Sequence, residues 1–173
     1  MEIATFFDLR AVWGQTQLVD DLQAHALEAA AEREIFLHQM ARDALDFRAP
    51  LGPFGAIRTE TEHTGTLDIK GALMHFVAFA RVMSLRYRLH ETGTGARLHA
   101  LAASGYLDQT VATDAIDSWR FLLGKRLALR FATDGDHLDP QTLSAWDLAV
   151  LKRALVTISA LQTRLRHDVE RAG

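Results

Sequence analysis

LDIKGALMHFVAFARV, residues 67–82, decides how the rest of the chain is read. At about 100° per residue, Leu73, Phe76, Ala80, Met83 and Tyr87 fall on one broad face. That is the spacing of an amphipathic helix, not the alternation of a strand, and the helix is expected over about 69–90. Gly71, His75 and Arg86 fall opposite and are expected to meet water. Lys70, Arg81 and Arg88 form a third stripe, flanked by Met74, Val77 and Leu85. Lys70 and Arg81 are about three turns apart and so point to nearly the same side. A cation at the edge of apolar cover needs a carboxylate, a carbonyl or a bound anion. Two answers are open: Arg81 pairs with an acid on another helix while Lys70 and Arg88 snorkel, or the stripe meets the anion of a partner.

Upstream, Leu18, Leu22, Ala26 and Ala29 share one face, and Ile35, Phe36, Met40 and Leu45 continue the pattern. Two helices are expected, at roughly 16–31 and 33–47. Downstream, GTG at 93–95 punctuates, and Thr94 can cap a short helix ending near Ser104–Gly105. Asp108 or Thr110 can cap a long helix over about 110–132, and TDGDHLDP at 133–140 is turn-rich. Ser144-Ala-Trp-Asp147 fits a capping box with Asp in place of Glu. Leu148, Leu151, Leu155, Ile158 and Leu165 then mark a seam of near-heptad spacing. The expected fold is all-α, an up-and-down helical bundle. Two stretches stand apart. Residues 3–12, IATFFDLRAV, read as a short strand, and AIRTETEHTGT, after the PLGPFG break at 50–55, reads as an extended excursion with a small hairpin near 56–68.

Composition narrows the function classes. The chain has 173 residues, 49% of them hydrophobic and 24% charged, a composition for one globular domain with a core. A formal net charge of -3 argues against general nucleic-acid binding. There is no cysteine, which removes disulfides and thiolate metal sites. MEIATFFDLR is not a secretory signal, no stretch is apolar for long enough to span a membrane, and a cytoplasmic setting is the expectation. No HExxH, GxSxG, Walker loop or dinucleotide fingerprint occurs. Glu60 and His63 have the Glu-x-x-His spacing of di-iron bundles, but that chemistry needs two such motifs on helices. Glu34 and His38 lie one turn apart, as is common on solvated faces. ETGTGARL, residues 91–98, offers a helix start with Arg97 in its first turn. Such an end can hold a phosphate or carboxylate, or can be simple capping.

FFDLRAVWG (6–14), PLGPFG (50–55), GTLDIK (65–70), Arg81, ETGTGARL (91–98), KRLALR (125–130) and Leu143-Ser144 occur in an order that resembles the nucleotidyltransferase substrate-binding domain family, the DUF294 C-terminal domain. The resemblance covers nearly the whole chain. Its most specific parts are LDIK with Arg81, and Thr92 to Leu98. It implies a helical bundle placed after a catalytic domain of the DNA polymerase β type, in proteins likened to the uridylyltransferases that modify the PII signalling protein. On that basis residues 1–14 are expected to be a strand or linker remnant beside a missing nucleotidyltransferase domain, and 15–173 the helical domain. The chain itself is expected to carry no catalytic residue, cofactor or metal, with Mg²⁺ and a nucleoside triphosphate belonging to the parent's catalytic domain. The missing domain is one implied partner, and a regulatory protein or a nucleotide another. The family pattern carries over onto Lys70, Arg81, Thr92, Thr94, Arg97 and Arg126 as substrate- or anion-binding positions, with Asp8 a remnant acidic position. Where the family often has Gln, this chain has Arg130. The accessory-domain reading expects Lys70, Arg81, Arg97 and Arg126 to converge on one open surface. The alternative is a structural or dimerisation bundle in which these residues hold helices together.

Overall fold

The computed structural model describes residues 2–47, 49–52, 55–59 and 65–170. Six α-helices run in order through them: α1 (Thr16–Ala31), α2 (Glu34–Asp46), α3 (Ile69–Arg86), α4 (Thr94–Ala103), α5 (Gln109–Thr133) and α6 (Ala145–Glu170). α3 is the central element and packs against each of the other five. Its expected face is inside: Leu73, Phe76, Ala80 and Met83 are all buried, and Phe79 joins them. The Leu, Phe and Met side chains among them contribute about 1.5–3 kcal/mol each on burial. From α6 the seam Leu151, Leu155, Ile158 and Leu165 closes the same core, with Leu98 and Leu101 of α4 and Leu122 of α5.

Local chemistry sets the helix ends. Asp68 caps α3 by accepting from Gly71 N at 2.9 Å. A Cβ on Gly71 would collide with that carboxylate, so the cap and the glycine are one device. Asp108, rather than Thr110, caps α5 through Thr110 N and Val111 N at 2.8 and 3.2 Å. The Ser144 box forms, with Asp147 N donating to Ser144 Oγ at 3.0 Å and the hydroxyl in turn donating to Asp147 Oδ2 at 3.1 Å. α3 ends at Arg86, short of the expected 90. Arg88 takes a left-handed φ of 55°, and Leu89 N reaches back to Ser84 O at 2.9 Å, which closes the helix with a tight C-terminal turn.

Four expectations are corrected. The N-terminal segment is no strand but a 3-10 helix, Glu2–Asp8. A strand needs an edge to pair with, and among the described residues the one sheet is the two-residue pair β1 (Leu67–Asp68) and β2 (His137–Leu138). That pair also corrects the hairpin expected near 56–68: Leu67 pairs antiparallel with Leu138, next to α5, and both are buried. Within the earlier loop, Leu51 bridges Ile57. Residues 60–64, with Glu60 and His63, lie outside the described residues. His75, expected to face water, is buried under the Phe47 ring edge and hydrogen-bonded to Gln162. The predicted α1 face is only partly inside: Leu18 and Leu22 lie in solvent and Ala26 and Ala29 are half-buried, while Leu27 and Ala30 pack against Leu85. No helix among the described residues is long and apolar enough to cross a membrane.

Candidate functional site

Arg81 leaves the inner side of α3 and Arg97 the first turn of α4, and both reach Asp8, the last residue of the N-terminal 3-10 helix. Arg81 Nη2 donates to Asp8 Oδ2. Arg97 Nη1 lies 2.8 Å from Oδ1, an ion-pair contact not aligned well enough to be a hydrogen bond. The rest of the Arg97 fork is committed to backbone: Nη2 donates to Phe7 O and Nε to Glu91 O, each at 2.8 Å. The guanidiniums are deep, with side chains 11% and 3% exposed, whereas Asp8 is 35% exposed. Burial pushes the Arg97 pKa below its ordinary value. Asp8 pulls it back, the neighbouring charge of Arg81 lowers it further, and exposed Glu91 raises it slightly. Arg81 Nε and Ser84 Oγ, one turn apart on α3, are buried without a hydrogen-bond partner.

Asp8 thus holds a strap in place. Gln23 of α1 donates to Leu9 O just beyond it, and Phe7 packs on Phe36 with ring centroids 5.9 Å apart. A cleft of about 210 Å³ opens between α2 and α3, lined by Phe36, Met40, Met74, Ala78 and Val82, with Arg81 and the strap's Ala4 also on its wall. A second hollow of about 20 Å³ lies among Phe7, Ser84, Glu91 and Arg97. A further cleft of about 430 Å³ includes Glu34, His38, Arg86 and Asp168.

The six sequence-derived positions do not form one surface. Arg81 and Arg97 meet at Asp8. Lys70 lies about 16 Å along α3 from Arg81, at 1.5 Å per residue, and is exposed. Arg126 pairs with Asp136 at 2.8 Å, and Lys70 adds to the positive field on that same carboxylate. The hydrogen bond raises the pKa of Arg126 and holds Asp136 below the usual carboxylate range. Thr92 is exposed in the loop before α4. Thr94 is not the cap: Gly93 holds that position, with no side-chain bond, and Thr94 is buried as the first helical residue. Arg130, where the resemblance leads us to expect Gln, turns outward to Asp134.

Sequence reading missed Ser84 and the carbonyls of Phe7 and Glu91. Ser84 had a signal, since three residues after Arg81 it shares that helix side. The carbonyls had none, because backbone acceptors carry no residue identity. Among the described residues no three His, Asp or Glu side chains gather as metal ligands.

Fold and cluster together define an all-α bundle whose interior arginines, from separate helices, converge on one acidic group. The chain belongs to the family described as "Putative nucleotidyltransferase substrate binding domain", whose model matches residues 34–169. No curated protein and no solved structure matches it. All six candidate positions lie inside the matched span, and Asp8 lies outside it.

Proposed function

We propose that the chain is the helical domain that binds a substrate or partner beside a nucleotidyltransferase catalytic domain of the protein-PII uridylyltransferase-like kind, and that Arg81 and Arg97 supply its anion contact. The family match carries this reading. The chemistry of the pair supports it, because two guanidiniums from different helices make a forked receptor for carboxylate or phosphate oxygens. In this reading Mg²⁺ and the nucleoside triphosphate belong to the catalytic domain, the ligand here is a nucleotide or an acidic segment of a regulatory protein, and the setting is cytoplasmic. Lys70, Thr92, Thr94 and Arg126 are outlying contributors. Calorimetric titration with ATP and UTP tests it: saturable heat with either nucleotide, abolished by Arg97→Gln, is expected. No heat from either at millimolar concentration, with the fold intact, sinks the nucleotide reading.

A second reading is a structural or dimerisation bundle. It is favoured by one observation: Arg81, Arg97 and Arg126 each already meet an acid within the chain. It expects Arg81→Ala to destabilise the fold and no nucleotide to bind.

A further inference from the structure

Two buried guanidiniums face one carboxylate, so a formal positive charge is left uncompensated in the site. Exposed Glu91 offsets part of it from the surface. Two donors, Arg81 Nε and Ser84 Oγ, stand unused beside that charge. A single carboxylate leaves such a site short of charge and badly placed for its donors, since Asp8 Oδ1 is likewise buried without a hydrogen-bond partner. A phosphoryl group at neutral pH brings close to two negative charges and three acceptor oxygens. The acid that fills the site is also unlike the rest of it. Both arginines and Ser84 lie within residues 34–169, which define the family, whereas Asp8 comes from a separate 3-10 segment outside that span. The segment is slight, with Asp8 a third exposed and Phe6 in solvent. It also covers what lies beneath: its Ala4 walls the apolar cleft that reaches Arg81, and its Phe7 walls the small hollow at Ser84 and Arg97.

We propose that Arg81, Arg97 and Ser84 form a receptor for the phosphoryl group of a small phosphate ester, and that Asp8 occupies this receptor as a built-in competitor. The strap and the ligand exclude one another. When the ester binds, its phosphoryl oxygens take the two guanidiniums and the Ser84 hydroxyl, its organic body lies along Met40, Met74, Ala78 and Val82, and Glu2–Asp8 lifts away. Ligand occupancy is thereby converted into movement of the N-terminal segment. This rests on the reading of Arg81 and Arg97 as the anion contact, and adds the ligand class and the latch.

The test is calorimetry of the wild type and of Asp8→Asn with phenyl phosphate, UMP and inorganic phosphate, together with hydrogen exchange of the wild type at saturation. The variant keeps the shape of the side chain and removes the competing charge, so it is expected to bind phenyl phosphate about ten-fold more tightly, because a latched site is competent for only a fraction of the time. Inorganic phosphate is expected to bind more weakly than the two esters, and binding no weaker than theirs removes the cleft from the proposal. Amides of residues 2–8 are expected to exchange faster in the ligand-bound wild type while those of α3 and α4 slow. Equal affinity in the two proteins, with residues 2–8 still protected, overturns the latch and leaves the anion contact standing. Absence of binding to either protein overturns both. If Asp8→Asn fails to fold, the wild-type exchange pattern decides the matter alone.

Discussion

Replacing Arg97 with Met removes a main tie between the strap and the bundle, together with one bond outside the strap, to Glu91 O. The side chain is 3% exposed and makes two charge-assisted hydrogen bonds to carbonyls, plus the ion-pair contact with Asp8. At about 1.5–3 kcal/mol for each hydrogen bond to a charged group, the gross loss is roughly 4.5–9 kcal/mol, counting the ion pair at a similar value. Two effects reduce it. Burial lowers the Arg97 pKa despite Asp8, so desolvation opposes the ion pair and Met removes that opposition. Asp8 also keeps its contact with Arg81. The net cost expected is about 3 kcal/mol, the lower end of values for breaking a buried pair. For a chain of this length that is a fall in Tm of about 6–12 °C. Urea unfolding followed by far-UV circular dichroism should show a lower midpoint with an unchanged slope. A cycle with Asp8→Ala should give a coupling of at least about 1 kcal/mol. A loss under about 1 kcal/mol, with no coupling, refutes the claim that Arg97 fastens the strap to the bundle.

Three further outcomes follow from local geometry. Arg88→Gly should stabilise the protein by about 0.5–1 kcal/mol in the same urea assay, because Arg88 holds a φ of 55° that glycine adopts without a Cβ clash. Asp136 is held below the ordinary carboxylate range, first by the Arg126 hydrogen bond, so its stabilisation is complete above the unfolded pKa and is lost as pH falls through the folded one. Thermal melts below about pH 4 should therefore decline less steeply in Asp136→Asn than in the wild type, and identical profiles contradict this. Ser144→Ala removes the acceptor for Asp147 N and should cost about 1 kcal/mol, read from its urea midpoint.

The helical framework was legible because periodicity and cap chemistry are local. Leu73, Phe76, Ala80 and Met83 repeat at helical spacing and all end up inside, and Ser144 with Asp147 marks the start of α6 where expected. What escaped were matters of pairing across the chain. FFDLR has the composition of a strand, and nothing in it says that no edge waits to pair with it. Leu67 finds its strand partner seventy-one positions away, at Leu138. His75 lies opposite the main core face on a wheel of α3 alone, but Gln162 of α6 and Phe47 cover that side too. The site divided in the same way. That Arg81 needed an anion followed from its apolar surroundings, and internal pairing was one of the two answers left open. That the anion sits on Asp8, shared with Arg97, needed the fold.

That sharing bears on how the two functional readings relate. An arginine kept for structure is best served by its own acid, as Arg126 is by Asp136 in a two-point contact. Arg81 and Arg97 instead divide one carboxylate between them, and Arg81 keeps a buried donor unused at a cost of about 1–3 kcal/mol. Apolar residues at these places would avoid that cost. Under the proposed latch the two readings describe two states of one site. The cluster would be a structural clamp with Asp8 in place and an anion receptor with Asp8 withdrawn. The energy separating those states is the docking energy of the strap, to which the coupling between the Arg97 and Asp8 variants gives the ion-pair share.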